Sequence, residues 1–124
     1  MEALIAHAVT LGAALDRADW GSLPGNLETD PRPNHDLLLR GQVYGVEIEA
    51  WPQIVDSALE YAFHEVGAEI EVFAFRIEID GNLTHRDGTP IDNDPRSLWE
   101  ACAAAMLASY LFDPGQNYGR RATA

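Results

Sequence analysis

Hydrophobic positions recur at helical spacing from the start of the chain. Leu4, Ile5, Ala8, Val9, Leu11 and Leu15 fall three or four residues apart, which predicts a helix over residues 2–17 with Trp20 packing just past its end. Residues 21–35 then hold three Pro, two Gly and two Asn and predict a long loop. Pro31 and Pro33 stiffen it, and Leu23 and Leu27 are its anchors to the core.

Leu37–Arg40 and Val43–Ala50 read as extended segments joined by a turn at Gly41-Gln42. In the second, Tyr44, Val46 and Ile48 alternate with Gly45, Glu47 and Glu49, the period of a strand with one buried face. The spacing changes again at Trp51, Ile54, Val55, Ala58, Leu59, Ala62, Phe63 and Val66, which predicts a second helix over 51–66. Pro52 fits its first turn and Gly67 its stop.

Residues 68–79 are strongly β-prone. Ile70 and Val72 are apolar on even positions and Phe75, Ile77 and Ile79 on odd ones, so the phase slips near Val72–Phe73 and a bulge there, or a stretch buried on both faces, is expected. Asp80-Gly81-Asn82 signals a hairpin turn, Leu83–Arg86 the returning strand, and Asp87-Gly88 its end. Asp94-Pro95 starts a last helix over 95–112, which carries no charge from Ala101 onward. Such a helix belongs in the core or, through its small residues, at a homodimer seam.

The expected architecture is therefore α+β: a small, mainly antiparallel sheet of three to four strands packed with about three helices, in the order α-(β)-β-α-β-β-α. A right-handed parallel crossover over 43–79 is the alternative. Residues 1–112 form one expected globular domain and 113–124 a flexible tail.

Charge narrows the function. Twenty Asp and Glu face eight Arg and no Lys, for a net of −12, and residues 1–112 carry a net of −13. Such a body repels phosphate backbones and anionic lipid, so neither direct nucleic-acid binding nor membrane binding is expected, whereas basic proteins are attracted. The same charge also serves plain solubility. The N-terminal segment lacks a basic n-region, and no apolar run approaches the roughly 20 residues of a membrane span, so a cytoplasmic protein is expected. The lone Cys102, in an alanine-rich run, reads as a buried inert thiol.

The feature with most chemical content is an acidic sheet face. If Val46 and Ile48 point inward, Glu47 and Glu49 point outward. Glu69, Glu71, Glu78 and Asp80 would join them, offset only by Arg76. Carboxylates on alternate strand residues stand roughly 6–7 Å apart, a spacing with which a protein can imitate nucleic-acid phosphates. This makes Glu47, Glu49, Glu69, Glu71, Glu78 and Asp80 the expected contacts of a non-enzymatic inhibitor or modulator. Its partner would be a basic, nucleic-acid-binding protein. Small phage and plasmid inhibitors, some anti-CRISPR proteins among them, share this profile of size and charge. An ordinary solvated face competes with that reading, and the face exists only if the strands bearing Glu47 and Glu71 lie close.

Other clusters are weaker. Asp56, Glu60 and His64 form an i, i+4, i+8 stripe on the expected second helix, but without a paired-His motif a metal site is not expected. Asp80, His85, Arg86 and Asp87 gather at a hairpin where turn geometry already accounts for Asp. His7 and His35 are isolated, and no nucleotide, redox or nucleophile motif occurs, so no cofactor is expected. The alternative readings are a small-molecule pocket at the 21–35 loop, using Trp20, His35, Tyr44, His85 and Arg86, and a homodimer through the 95–112 helix. Tyr118, Arg120 and Arg121 make the sole basic stretch, too small to bind nucleic acid beside so acidic a body.

Overall fold

The computed structural model describes residues 1–32 and 37–108. His35, the expected helix end at 109–112 and the expected tail at 113–124 lie outside them. Two helices and seven strands follow one another as α1 (Glu2–Arg17), β1 (Gly25–Thr29), β2 (Leu39–Val43), β3 (Val46–Val55), β4 (Ala58–Glu65), β5 (Glu71–Ile77), β6 (Leu83–His85), β7 (Pro90–Ile91) and α2 (Pro95–Ala108). The strands form one curled antiparallel sheet in simple sequence order, β1 to β7. The class remains α+β, but the expected three- to four-stranded sheet with about three helices is wrong, and no parallel crossover exists among the described residues.

The largest correction is at residues 51–66, which are a β-hairpin and not a helix. β3 and β4 pair from Ile48↔Glu65 to Val55↔Ala58 around a two-residue turn at Asp56-Ser57. Both turn residues have positive φ, 50° and 66°, the geometry whose twist matches that of the flanking strands. No glycine marks this turn, so the chain reads continuously through it. The buried residues of β4 on the core side are Leu59, Tyr61 and Phe63, a period of two. Trp51 and Ile54, which a helix would have buried, are 55% and 46% exposed.

Pro52 has a different role from the one expected. The β2–β3 turn is Tyr44-Gly45, again with positive φ at both residues (51° and 82°), so Val43 and Val46 exchange backbone hydrogen bonds. Even-numbered residues of β3 therefore point their amides toward β2. β2 ends opposite Ala50, and Pro52 thus places its missing N–H beyond the last β2–β3 pair, where no ladder bond is lost among the described residues.

The expected turn at Gly41-Gln42 is likewise displaced to Tyr44-Gly45. Gly41 sits inside β2 opposite Leu27, where a Cβ would collide with the Asn26 carbonyl of β1. The expected loop at 21–35 contains β1, with Leu27 fully buried as an anchor. The phase slip at Val72–Phe73 is a real bulge. Phe63 pairs with Phe73 but His64 pairs with Glu71, so β5 has an extra residue and Val72 and Phe73 are both buried.

Alternate residues of the sheet and one stripe of each helix enclose a single core. α1 contributes Leu4, Ala8, Leu11 and Leu15, and α2 contributes Leu98, Trp99, Cys102, Ala103 and Met106. Asp94 caps α2, accepting from the Ser97 amide at 3.0 Å. At the centre Tyr61, Phe63, Phe73 and Phe75 pack with neighbouring ring centroids 5.3–6.5 Å apart. Such aromatic pairs contribute about 0.5–1.5 kcal/mol each beyond their buried area. The Tyr61 hydroxyl donates to the Leu37 carbonyl at 2.6 Å, and burial pushes its pKa up. Burial likewise pushes the Cys102 thiol up, leaving it a poor nucleophile. No helix among the described residues is long and apolar enough to cross a membrane.

Candidate functional site

The odd-numbered residues of β3, the even-numbered residues of β4 and, because the bulge shifts the phase of β5, Glu71, Ala74 and Arg76 form the open face of the sheet. Glu47 and Glu49 stand on it, as the alternation at 46–50 implies. β4 lies between β3 and β5, so these residues and Glu71 are two strand spacings apart, about 9.5 Å. Glu69 stands in the turn leading into β5, at the same end. Glu78 and Asp80 lie at the opposite end of the seven-residue β5, about 23 Å away along the strand. The six expected contacts therefore divide into a group of four and a group of two.

Register also changes the electrostatics. One row across the open face runs Glu28, Arg40, Glu49, His64, Glu71, each residue directly opposite the next on the neighbouring strand. Carboxylates thus alternate with basic groups, and the expected opposition of like charges does not occur along this row. Arg40 Nε donates to Glu28 at 2.7 Å, and Arg32 comes within 3.9 Å of Glu49. Arg32 is chiefly committed to Asp30, whose side chain is almost wholly buried and accepts from its guanidinium and its backbone amide. The Arg32 hydrogen bonds hold the Asp30 carboxyl down at about 2.

Two rows further along, beyond Trp51–Ala62–Ala74, stands Glu60, which is 4% exposed although it is on the open face. Arg76 Nε donates to it at 2.9 Å, and Arg86 Nε and Nη2 donate at 3.3 and 3.1 Å. Arg86 also grips Glu71 with two bonds of 2.8 and 2.9 Å, and Arg76 extends to within 3.7 Å of Asp56. The side chains form one chain, Asp56–Arg76–Glu60–Arg86–Glu71. The Arg86 hydrogen bonds lower the pKa of both Glu60 and Glu71, against the opposing effect of burial. Of the expected contacts, Glu71 is thus already neutralised by its own chain, and Glu78 accepts a bond from the Thr84 hydroxyl. No ion pair reaches Glu47 or Glu69 among the described residues.

Sequence reasoning missed Glu28, Arg40, Glu60 and Arg86 as members of this face. Their ion-pair partners are 12 to 26 positions away in sequence, and only the meander brings them together. The Asp56–Glu60–His64 stripe, expected as a polar helix face and not as a metal site, is dispersed along a strand and the turn before it. On a strand, residues four apart are separated by about 13 Å, and no group of three or more His, Cys, Asp or Glu among the described residues is arranged to hold a metal.

The cluster at the β5–β6 hairpin also comes apart. Asp80 accepts from the Asn82 amide and Asp87 from the Thr89 amide, which lowers the Asp87 pKa. The His85 ring meets Phe73 edge-on, while Arg86 crosses the opposite face. His7 bonds the Ile79 carbonyl at 3.1 Å. Of the described residues of the alternative pocket, Tyr44 packs on Trp99 and Trp20 donates to the Leu15 carbonyl.

Two hollows mark the open face. A cleft of about 390 Å³ over β1–β3 is bordered by Glu28, Asp30, Arg32, Arg40, Glu47 and Glu49. A groove of about 580 Å³ beside it lies between Trp51 and the β4–β5 turn. No family model, curated protein or solved structure matches the chain.

Proposed function

We propose that the chain is a small acidic, non-enzymatic binding protein. It acts as an inhibitor or modulator by docking the Glu47–Glu49–Glu69 end of its open sheet face on a basic, nucleic-acid-binding protein. One observation carries this reading. On that face the guanidinium groups of Arg32, Arg40, Arg76 and Arg86 are all held by carboxylates of the chain itself, while Glu47 and Glu69 remain without an ion pair among the described residues. The surface offered to a partner is therefore acidic, and its positive groups are engaged in holding the sheet together.

Glu47 and Glu49 supply the two-residue strand spacing that imitates successive phosphates, and Glu69 extends the surface at the β4–β5 turn. Glu71 adds less charge because Arg86 offsets it. Glu78 and Asp80 would be reached only by a partner spanning the length of the sheet. Docking of this kind depends on charge, so association should be fast at low salt and fall steeply as salt rises.

The test is capture from nuclease-treated lysate of the native host, with the wild-type chain and a Glu47→Lys, Glu49→Lys, Glu69→Lys variant side by side. A basic nucleic-acid-binding protein retained by the wild type, released at moderate salt and absent from the variant is the expected result. Equal retention by both chains would remove the face from the reading.

A further inference from the structure

Beside the Glu47–Glu49 pair, the open face carries the 580 Å³ groove lined by Glu49, Trp51, His64, Glu65, Val66 and Glu69. Trp51 and Val66 are 55% and 47% exposed. Trp51 stands opposite Ala62, which stands opposite Ala74, so the row crossing β3, β4 and β5 at this point has one large side chain followed by two methyl groups. Three carboxylates border the groove and no arginine lines it.

An aromatic plate ringed by carboxylates is complementary to an organic cation, through the ring quadrupole and through direct charge. Phosphate or carboxylate ligands would be repelled. Between the two protein cations, the flat guanidinium fits better than the ammonium, because it can lie on the indole while its edge N–H groups reach carboxylates on both sides.

We propose that this groove receives an arginine side chain presented by the basic partner, with the guanidinium stacked on Trp51 and held by Glu49 and Glu69. The proposal rests on the reading of the open face above and makes it specific: the partner is anchored by one arginine, and the surrounding carboxylates supply long-range attraction. Removal of the anchor should raise the dissociation rate, whereas removal of distant charge should mainly slow association.

The experiment is calorimetric titration of the full chain with hexa-arginine at near-neutral pH and low ionic strength, with hexa-lysine and hexa-citrulline as comparisons. Hexa-arginine should bind more tightly than hexa-lysine, and hexa-citrulline should not bind. Trp51→Ala should weaken hexa-arginine by about 2–5-fold, the range of an exposed cation–π contact. Glu69→Gln should weaken it to a similar extent, and Glu100→Gln, on the exposed side of α2, should leave it unchanged. Because Trp51 is exposed, an unaltered thermal transition would verify that its variant is folded.

Three results would overturn the proposal. The first is absence of hexa-arginine binding. The second is equal affinity in the wild type, Trp51→Ala and Glu69→Gln chains. If the Glu47→Lys, Glu49→Lys, Glu69→Lys variant then loses the peptide, the acidic face survives and the groove alone falls; if it also binds like wild type, both fall. The third is tighter peptide binding by an Arg120→Ala, Arg121→Ala chain, which would assign the groove to the protein's own arginines.

Discussion

Arg86 joins Glu60 of β4 to Glu71 of β5, with its Nη2 donating to both, at 3.1 and 2.9 Å. A residue of the β6–β7 turn thereby fastens strands that precede it by 15 and 26 positions. Glu60 is the member at risk, since its side chain is only 5% exposed whereas that of Arg86 is 47% exposed. Loss of Arg86 would leave a nearly buried carboxylate with Arg76 as its remaining charge partner.

Arg86→Met should therefore destabilise the fold by about 2–3 kcal/mol, below the 3–5 kcal/mol of a fully buried pair because Arg86 is half in water. Arg40→Met is the contrast. Arg40 and Glu28 are both well exposed, and loss of that pair should cost less than about 1 kcal/mol. Urea unfolding of the two variants should separate them by midpoint at equal slope.

The same network sets the acid limit. Glu60 and Glu71 are held below their ordinary value of 4.5, and Asp30 is held at about 2 against 3.8. The unfolded chain therefore binds more protons than the folded one in this range. The stabilisation is full above about pH 4.5 and is lost as pH falls through the lowered native values. Urea midpoints should hold from neutral pH to about pH 5 and fall progressively below it. Arg86→Met, which removes Glu71's arginine partner and one of Glu60's two, should flatten that slope.

Pro52 lies just past the end of the β2–β3 pairing. Replacement by Val would restore an N–H pointing away from the ladder, next to the exposed Trp51 and Ile54. Pro52→Val should leave the monomer folded but promote concentration-dependent self-association, measured by sedimentation velocity. An unchanged sedimentation profile at high concentration would show that another feature protects this part of β3.

The Asp56-Ser57 turn holds two non-glycine residues at positive φ. Ser57→Gly should relieve that strain and raise stability by about 0.5–1 kcal/mol, read as a higher thermal midpoint. Asp56 is best left in place, since it lies 3.7 Å from Arg76.

Much of the chain was readable in advance. α1, the start of α2, the alternation at Val46–Ala50, the slip at Val72–Phe73 and the turn at Asp80–Asn82 all depend on local spacing or local turn chemistry, and all are present. The segment 51–66 misled because its apolar residues satisfy both periods. Leu59, Tyr61 and Phe63 alternate, yet Trp51, Ile54, Val55, Ala58 and Leu59 also fit a helical stripe. The decisive feature was the turn at Asp56-Ser57, which carries no glycine or Asn-Gly signal.

The acidic residues of the open face followed the same division. That Glu47 and Glu49 point away from the core is a consequence of strand period and needed no coordinates. Whether their charge stands free or is cancelled depends on what lies opposite, and register is a property of paired strands. The sequence by itself determined the α+β class, the acidic balance, α1, the start of α2 and the strand phases at Val46–Ala50 and along β5, because these follow from neighbours within a few residues. Only the tertiary structure decided that 51–66 is a hairpin, that Arg40, Arg76 and Arg86 are consumed by Glu28, Glu60 and Glu71, and that Trp51 shares a groove with Glu49 and Glu69. Each of those outcomes requires side chains distant in sequence to share one face, and the meander's pairing sets that arrangement.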